Sequence, residues 1–69
     1  MSYQYKYPEL YAELARQNKS RKDLANALGI TRDTLRKRQD IDSMMDFRVY
    51  EMKAAAAYLG RPVAVLFGL

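Results

Sequence analysis

The chain has 69 residues, which is enough for a single small domain, residues 1–69, with one core. It contains no cysteine and no histidine, so disulfides are excluded and the commonest general base and zinc ligand are missing. Because the sequence also has no clustered carboxylates and no glycine-rich phosphate loop, we expect no enzyme activity, small-molecule substrate, cofactor or metal.

The hydropathy of the chain argues against a membrane protein. Mean hydropathy is −0.45, and no stretch approaches the roughly 20 consecutive apolar residues that a membrane span needs. Residues 1–7 contain three tyrosines and a lysine rather than an apolar leader. We therefore expect no signal peptide, no membrane association and a cytoplasmic location.

Basic side chains are concentrated in the middle of the chain. The segment from Arg16 to Arg38 has eight Lys and Arg against Asp23 and Asp33, a net charge of +6, whereas the whole chain carries +4. A basic segment beside a mildly acidic remainder suggests a polyanionic partner, bound partly through counterion release. The alternative is an ordinary solvated helix surface.

The first predicted helix runs from Pro8 to about Gln17. Proline suits the first helical position because its missing N–H would have no partner there. Apolar side chains follow at the spacing of one helical face, which comprises Tyr7, Leu10, Tyr11 and Leu14.

The residues before this helix contain alternating tyrosines, Tyr3, Tyr5 and Tyr7. They allow two interpretations. In one, residues 1–6 form a flexible arm that reaches DNA or a second subunit. In the other, the terminus is frayed and Tyr7 packs on the core.

Capping residues predict the next two helices. Ser20 is a candidate N-cap with Asp23 completing a capping box, and Gly29 ends this helix where a positive φ is needed. Thr31 is the next N-cap candidate, for a helix from Arg32 to about Gln39. That helix has almost no apolar content beyond Leu35, so we interpret it either as an exposed helix or as one presented to a charged partner.

The remaining residues predict a polar loop and two further helices. Met44 and Met45 are expected to anchor the Asp40–Asp46 loop, and Asp46 to cap a helix from about Phe47 to Leu59. Five residues are expected to line its apolar side: Val49, Met52, Ala55, Ala56 and Leu59. A short last helix begins near Pro62, which gives an all-α domain of four to five helices.

The pattern across residues 20–39 predicts a helix-turn-helix. Two short helices that cross steeply need a small residue where they approach, which Ala25 supplies, and the turn between them needs Gly29. The apolar residues that then fall where these helices would share a core with the first helix are Leu24, Leu28, Ile30 and Leu35. Another kind of helical hairpin is the alternative.

Nearly the whole chain, residues 8–67, resembles the lambda-repressor-like domains of phage Cro and Xre-type regulators. The likeness is closest to short phage and prophage repressors. It is carried by Tyr7–Leu10, Asp23–Ile30, Phe47–Glu51 and Leu66–Phe67. The resemblance implies a compact lambda-repressor-like fold whose third helix reads base edges in double-stranded DNA.

The resemblance also implies which residues touch DNA. The expected base contacts are Thr31, Arg32, Asp33, Arg36 and Lys37. The expected phosphate contacts are Arg21, Lys22, Arg38 and Arg48. Arg32 is the foremost candidate, since its two-pronged guanidinium matches the acceptors O6 and N7 of guanine. Asp33 is expected either to accept from cytosine or to orient Arg32 or Arg36.

The chain departs from the family pattern at three positions. Arg38 and Lys19 stand where the family has apolar residues, and Arg48 replaces a small N-cap residue. We therefore expect the far end of the helix that begins near Thr31 to be loosely anchored until DNA binds. The Arg48 exchange leaves the start of the fourth helix uncertain.

These features predict a transcriptional regulator that occupies a palindromic operator, with no membrane partner. One helix-turn-helix touches few bases, so we expect a weak or DNA-induced homodimer. Tyr58, Val65 and Leu69 are candidates for its interface, although core packing or simple exposure would explain them equally well. The alternative function is a protein-interaction module on the same fold, either an antitoxin or a phage-encoded inhibitor of a host protein.

Overall fold

Five short helices make up most of residues 5–69, which are the residues described by this structure, a computed structural model. Their bounds are α1 Pro8–Arg16, α2 Arg21–Leu28, α3 Arg32–Gln39, α4 Val49–Leu59 and α5 Val63–Phe67. Within that range no strand forms, and no helix has the length and apolar character needed to cross a membrane. The predicted all-α class is confirmed.

Side-chain caps fix the starts of α2 and α3, and a left-handed glycine ends α2. The Ser20 hydroxyl accepts from the Asp23 N–H at 3.1 Å, and the Asp23 carboxylate accepts from the Ser20 N–H at 3.0 Å. Gly29 ends α2 with φ +72°, and Thr31 accepts from the Thr34 N–H at 3.1 Å. Since these contacts join residues at most three positions apart, the sequence predicted them correctly.

All five helices contribute to one core, in which α2 packs on α4 and α3, and α1 and α4 pack on α5. Ala25 is 1% exposed, as expected for the small residue where α2 approaches its neighbours. Leu35 is the one apolar residue that α3 contributes, and it is 1% exposed. The buried apolar residues are Leu10, Leu14, Leu24, Ala25, Leu28, Leu35, Phe47, Ala55, Leu59, Leu66 and Phe67.

The segment before α1 is docked rather than flexible from Tyr5 onward. The Tyr5 ring stacks on Tyr11 with centroids 4.2 Å apart, and the Lys6 N–H donates to the Gln39 carbonyl at 2.8 Å. Tyr7 packs edge-on against Phe67 at 5.0 Å, which confirms its predicted contact with the core. The arm prediction is therefore wrong for residues 5 and 6, because they pair with the end of α3. Residues 1–4, which include Tyr3, lie outside the described part of the chain.

The fourth helix begins two residues later than predicted. Arg48 occupies the N-cap position of α4, and its backbone N–H donates to the Glu51 carboxylate at 2.8 Å. Asp46 does not cap the helix, because its carboxylate accepts from the Tyr7 hydroxyl at 2.9 Å and from the Phe47 N–H at 2.7 Å. Val49, expected on the apolar side of this helix, is 68% exposed in its first turn.

The loop between α3 and α4 differs from its prediction as well. Met44 is fully exposed and Met45 is 44% exposed, so neither side chain anchors the loop. Of the three residues considered for a dimer contact, Tyr58 packs on the core beneath the Lys19 ammonium, 4.2 Å from the ring centroid. Val65 and Leu69 are exposed, and their predicted role in a dimer stays a prediction.

We expect Leu35→Ala to lower the free energy of unfolding by about 3 kcal/mol, since it removes most of a fully buried leucine side chain. Leu69→Ala is the matched control, because Leu69 is 77% exposed, and its effect should stay within about 0.5 kcal/mol. Urea unfolding followed by circular dichroism measures both. Similar losses in the two variants would contradict the position of α3 in the core.

The Tyr7 phenol should make stability depend on pH at the alkaline end. Burial raises the pKa of Tyr7, and so do the hydrogen bond to Asp46 and the negative charge of that carboxylate. Together these effects shift the pKa from 10.0 to about 12. A pKa raised by folding gives stability that is complete below pH 10 and is lost as the pH rises through about 12. The free energy of unfolding should therefore fall less steeply in Tyr7→Phe than in the unmodified chain over this range.

Tyr50→Phe is the control for this measurement, because Tyr50 is 59% exposed. Urea unfolding at several alkaline pH values should show the unmodified slope in Tyr50→Phe and a shallower one in Tyr7→Phe. Parallel slopes in all three proteins would mean that folding leaves the ionisation of Tyr7 unaltered.

Candidate functional site

Helix α3 is divided lengthwise into a buried side and an exposed side. Leu35, Arg38 and Gln39 are buried, with 1%, 7% and 1% of their surface exposed. The remaining charged side chains are exposed, namely Arg32, Asp33, Arg36 and Lys37. We refer to these four residues as the outer face of α3, and it carries three cations and one carboxylate.

Asp33 holds two of these cations by ion pairs along the helix. Its Oδ1 lies 3.0 Å from Arg36 Nη2, and its Oδ2 lies 3.3 Å from Lys37 Nζ. Hydrogen bonds from Arg36 and then Lys37 hold the pKa of Asp33 below its usual value, so this carboxylate is charged at neutral pH. All three side chains are more than half exposed, so water and salt weaken each pair.

A cleft of about 320 Å³ separates the outer face of α3 from the start of α2. Among the described residues, its lining comprises three arginines, Arg21, Arg32 and Arg36, together with Asp33, Leu35 and Gln39. Arg32 has no ion-pair partner among the described residues, so its guanidinium can donate to a ligand without breaking a pair. Such a cleft suits an anionic or acceptor-rich ligand, since guanidinium groups match phosphate and paired acceptors in geometry.

The structure brings only part of the predicted site together. Arg32, Asp33, Arg36 and Lys37 share one face, and Arg21 faces them across the cleft. The Thr31 hydroxyl lies at the start of α3, but it is engaged with the N–H and hydroxyl of Thr34. Lys22 and Arg48 are exposed near the starts of α2 and α4 but do not line this cleft.

Arg38 does not belong to the exposed site. Its Nε lies 3.0 Å from Glu51 Oε1 and 3.1 Å from Oε2, and the Glu51 side chain is completely buried. The predictions that Arg38 contacts phosphate and that this end of α3 is loose are therefore wrong. The guanidinium faces α4, and its ion pair holds α3 where an apolar residue at position 38 would otherwise pack on the core.

Two further contacts hold the same end of α3. The Gln39 side-chain carbonyl accepts a hydrogen bond from the Tyr11 hydroxyl, and its backbone carbonyl accepts from the Lys6 N–H. Sequence reasoning missed the role of Gln39, for which no local pattern gives a signal. It also missed Glu51, although Glu51 lies four residues before buried Ala55 and eight before buried Leu59. A carboxylate at that spacing on an apolar face is a usable signal for a buried cationic partner.

Comparison with models of known protein families, with curated proteins and with solved structures gives no match. The function of the chain therefore has to be inferred from its fold and from the charged side chains that α2 and α3 expose. The outer face of α3 and the adjoining cleft are the candidate site, because they combine a rigid support with unburied cations.

We expect Arg38→Met to lower the free energy of unfolding by about 3 kcal/mol, because it leaves the Glu51 carboxylate buried without a counter-charge. The double variant Arg38→Met/Glu51→Gln should recover most of this loss. It removes both charges, while the glutamine carbonyl can still accept from the Arg48 N–H. Urea unfolding of the two single variants and the double variant measures the coupling. If the loss of unfolding free energy in the double variant equals the sum of the losses in the two single variants, the two charges do not interact.

Proposed function

We propose that the chain is a sequence-specific DNA-binding regulator of the lambda-repressor-like helix-turn-helix class, of the short phage or prophage repressor kind. It would act by occupying an operator and blocking polymerase. One observation carries the proposal. Helix α3 is fixed to the core along one side by Leu35, Arg38 and Gln39, and it presents cations along the other.

The dimensions of α3 support this function. A helix with its side chains is about 10–12 Å in diameter, and the major groove of B-DNA is about 12 Å wide, so α3 can lie in the groove. Since the buried side of α3 faces the domain, the outer face would meet the base edges. Arg21, Lys22 and Arg48, exposed near the starts of α2 and α4, would then contact phosphates and set the register of the domain on the duplex.

Arg32 is the residue to which we assign base reading. It is exposed and unpaired among the described residues, and it lies at the first position of α3, where a side chain reaches deepest into a groove. A guanidinium that donates both prongs to O6 and N7 of guanine discriminates against other bases by about 1–3 kcal/mol. Lys37, close to the other end of α3, would contact a base or a phosphate.

A homodimer on a palindromic site would double these contacts, and we propose that it forms weakly or only on DNA. Val65 and Leu69, exposed in and just after α5, are available for such a contact. We propose a cytoplasmic location for this regulator.

The deciding experiment starts with selection of bound duplexes from a random library, which yields the preferred site and shows any palindrome. Arg32→Ala should then weaken binding to that site roughly 10- to 100-fold and relax the preference at one base position. Lys53→Ala, which removes an exposed cation from α4, is the control and should change affinity little. Equal losses in the two variants, or no selected sequence at all, would refute the assignment.

A second function is favoured by a different observation, the apolar side chains exposed between α3 and the first turn of α4. They are Ile41, Met44, Met45, Val49 and Tyr50. A contiguous apolar patch formed by these side chains would mark a site of protein interaction. The chain would then be an antitoxin or an inhibitor of a host protein. Capture of one stoichiometric partner after nuclease treatment, lost in Met44→Ser but retained in Arg32→Ala, would favour this function.

A further inference from the structure

Asp33 is the one acidic residue of α3, and it lies at the centre of its cationic outer face. We propose that Asp33 is a specificity-determining residue, which weakens the binding of Arg36 and Lys37 to DNA phosphates and thereby leaves most of the recognition to Arg32. This inference rests on the proposed DNA-binding function. It assigns Asp33 a role within the protein rather than a contact with a base.

The geometry gives each carboxylate oxygen its own cation. Oδ1 pairs with Arg36 at 3.0 Å, and Oδ2 pairs with Lys37 at 3.3 Å. The partners stand three and four positions after Asp33, the spacing at which helical side chains meet. Arg32 is the immediate neighbour in sequence, so it leaves the helix in a different direction, and no pair with Asp33 forms.

Long cationic side chains without such a restraint bind phosphate on any sequence. Each phosphate that a protein neutralises releases counterions, which strengthens binding without regard to base sequence. Asp33 opposes this in two ways, since it competes with phosphate for Arg36 and Lys37, and its own charge is repelled by the DNA backbone. Because both pairs are exposed, they reduce phosphate contacts without abolishing them.

The restraint acts unequally on specific and non-specific complexes. At the preferred site, the contact between Arg32 and a base fixes the register, so Arg36 and Lys37 can reach only the phosphates that happen to lie nearby. On other sequences no base contact holds the domain, and it can shift to the register with the most phosphate contacts. Removing the restraint should therefore strengthen non-specific binding more than specific binding.

The test uses Asp33→Asn and two duplexes, the sequence selected by the unmodified chain and a shuffled duplex of the same composition. We expect the variant to bind the shuffled duplex roughly five- to tenfold more tightly at low salt. The slope of log affinity against log salt concentration should become more negative by about one to two. Each additional phosphate contact contributes about −0.9 to this slope. The ratio of specific to non-specific affinity should fall severalfold.

Two variants isolate the effect of the ion pairs. Asp33→Glu keeps the charge within reach of the same cations and should restore the original salt dependence and affinity ratio. Glu9→Gln changes the net charge by the same amount on α1, where Glu9 pairs with Arg16 at 3.0 Å. It should leave the ratio unchanged. Far-UV circular dichroism checks that all variants are folded, as expected because Asp33 is 62% exposed.

The possible results separate this inference from the proposed function. If the unmodified chain selects a sequence but Asp33→Asn keeps its salt dependence and affinity ratio, the role of Asp33 is refuted and DNA binding stands. If Asp33→Asn weakens binding to the selected duplex and relaxes one base position, Asp33 reads a base and the inference is overturned. If the unmodified chain selects no sequence from the library, both proposals fail.

Discussion

The buried ion pair between Arg38 and Glu51 is the contact on which the arrangement of α3 depends. Helix α3 contributes only Leu35 to the apolar core, and one leucine cannot fix both the position and the rotation of a helix. The guanidinium of Arg38 supplies a second fixed point, and the same Glu51 carboxylate accepts from the N–H of Arg48. One buried side chain thus ties the end of α3 to the start of α4, and this connection determines which side of α3 faces outward.

The sequence was informative where the deciding contacts are local. Ser20, Gly29 and Thr31 specify helix ends through contacts within a few residues, so the bounds of α2 and α3 followed from spacing and capping preferences. The outer face of α3 was predictable for the same reason, since a helix whose one apolar residue is Leu35 turns its opposite side to solvent. Only Arg38 was misplaced, because hydropathy alone makes no distinction between a solvated arginine and one that has a buried partner.

The errors share a physical cause, since each depended on contacts between distant parts of the chain. Arg38 and Glu51 stand 13 positions apart on different helices, and Tyr5 reaches Asp40 across an even longer separation. Asp46 was expected to cap α4, yet its carboxylate is engaged by the Tyr7 hydroxyl, 39 positions away. Met44 and Met45 are apolar, but the fold places no surface over them. Apart from the spacing of Glu51 on the buried side of α4, none of these outcomes has a counterpart in local periodicity.

The lengthwise division of α3 has a consequence for how relatives of this chain could diverge. Its buried residues are committed to neighbouring helices, whereas those at positions 32, 33, 36 and 37 contribute nothing to the core. Mutation at these four positions therefore changes the exposed surface of α3 at little cost to folding. If this face binds DNA as proposed, a lineage built on this domain could exchange one binding preference for another in single steps, and binding preference would diverge faster than architecture.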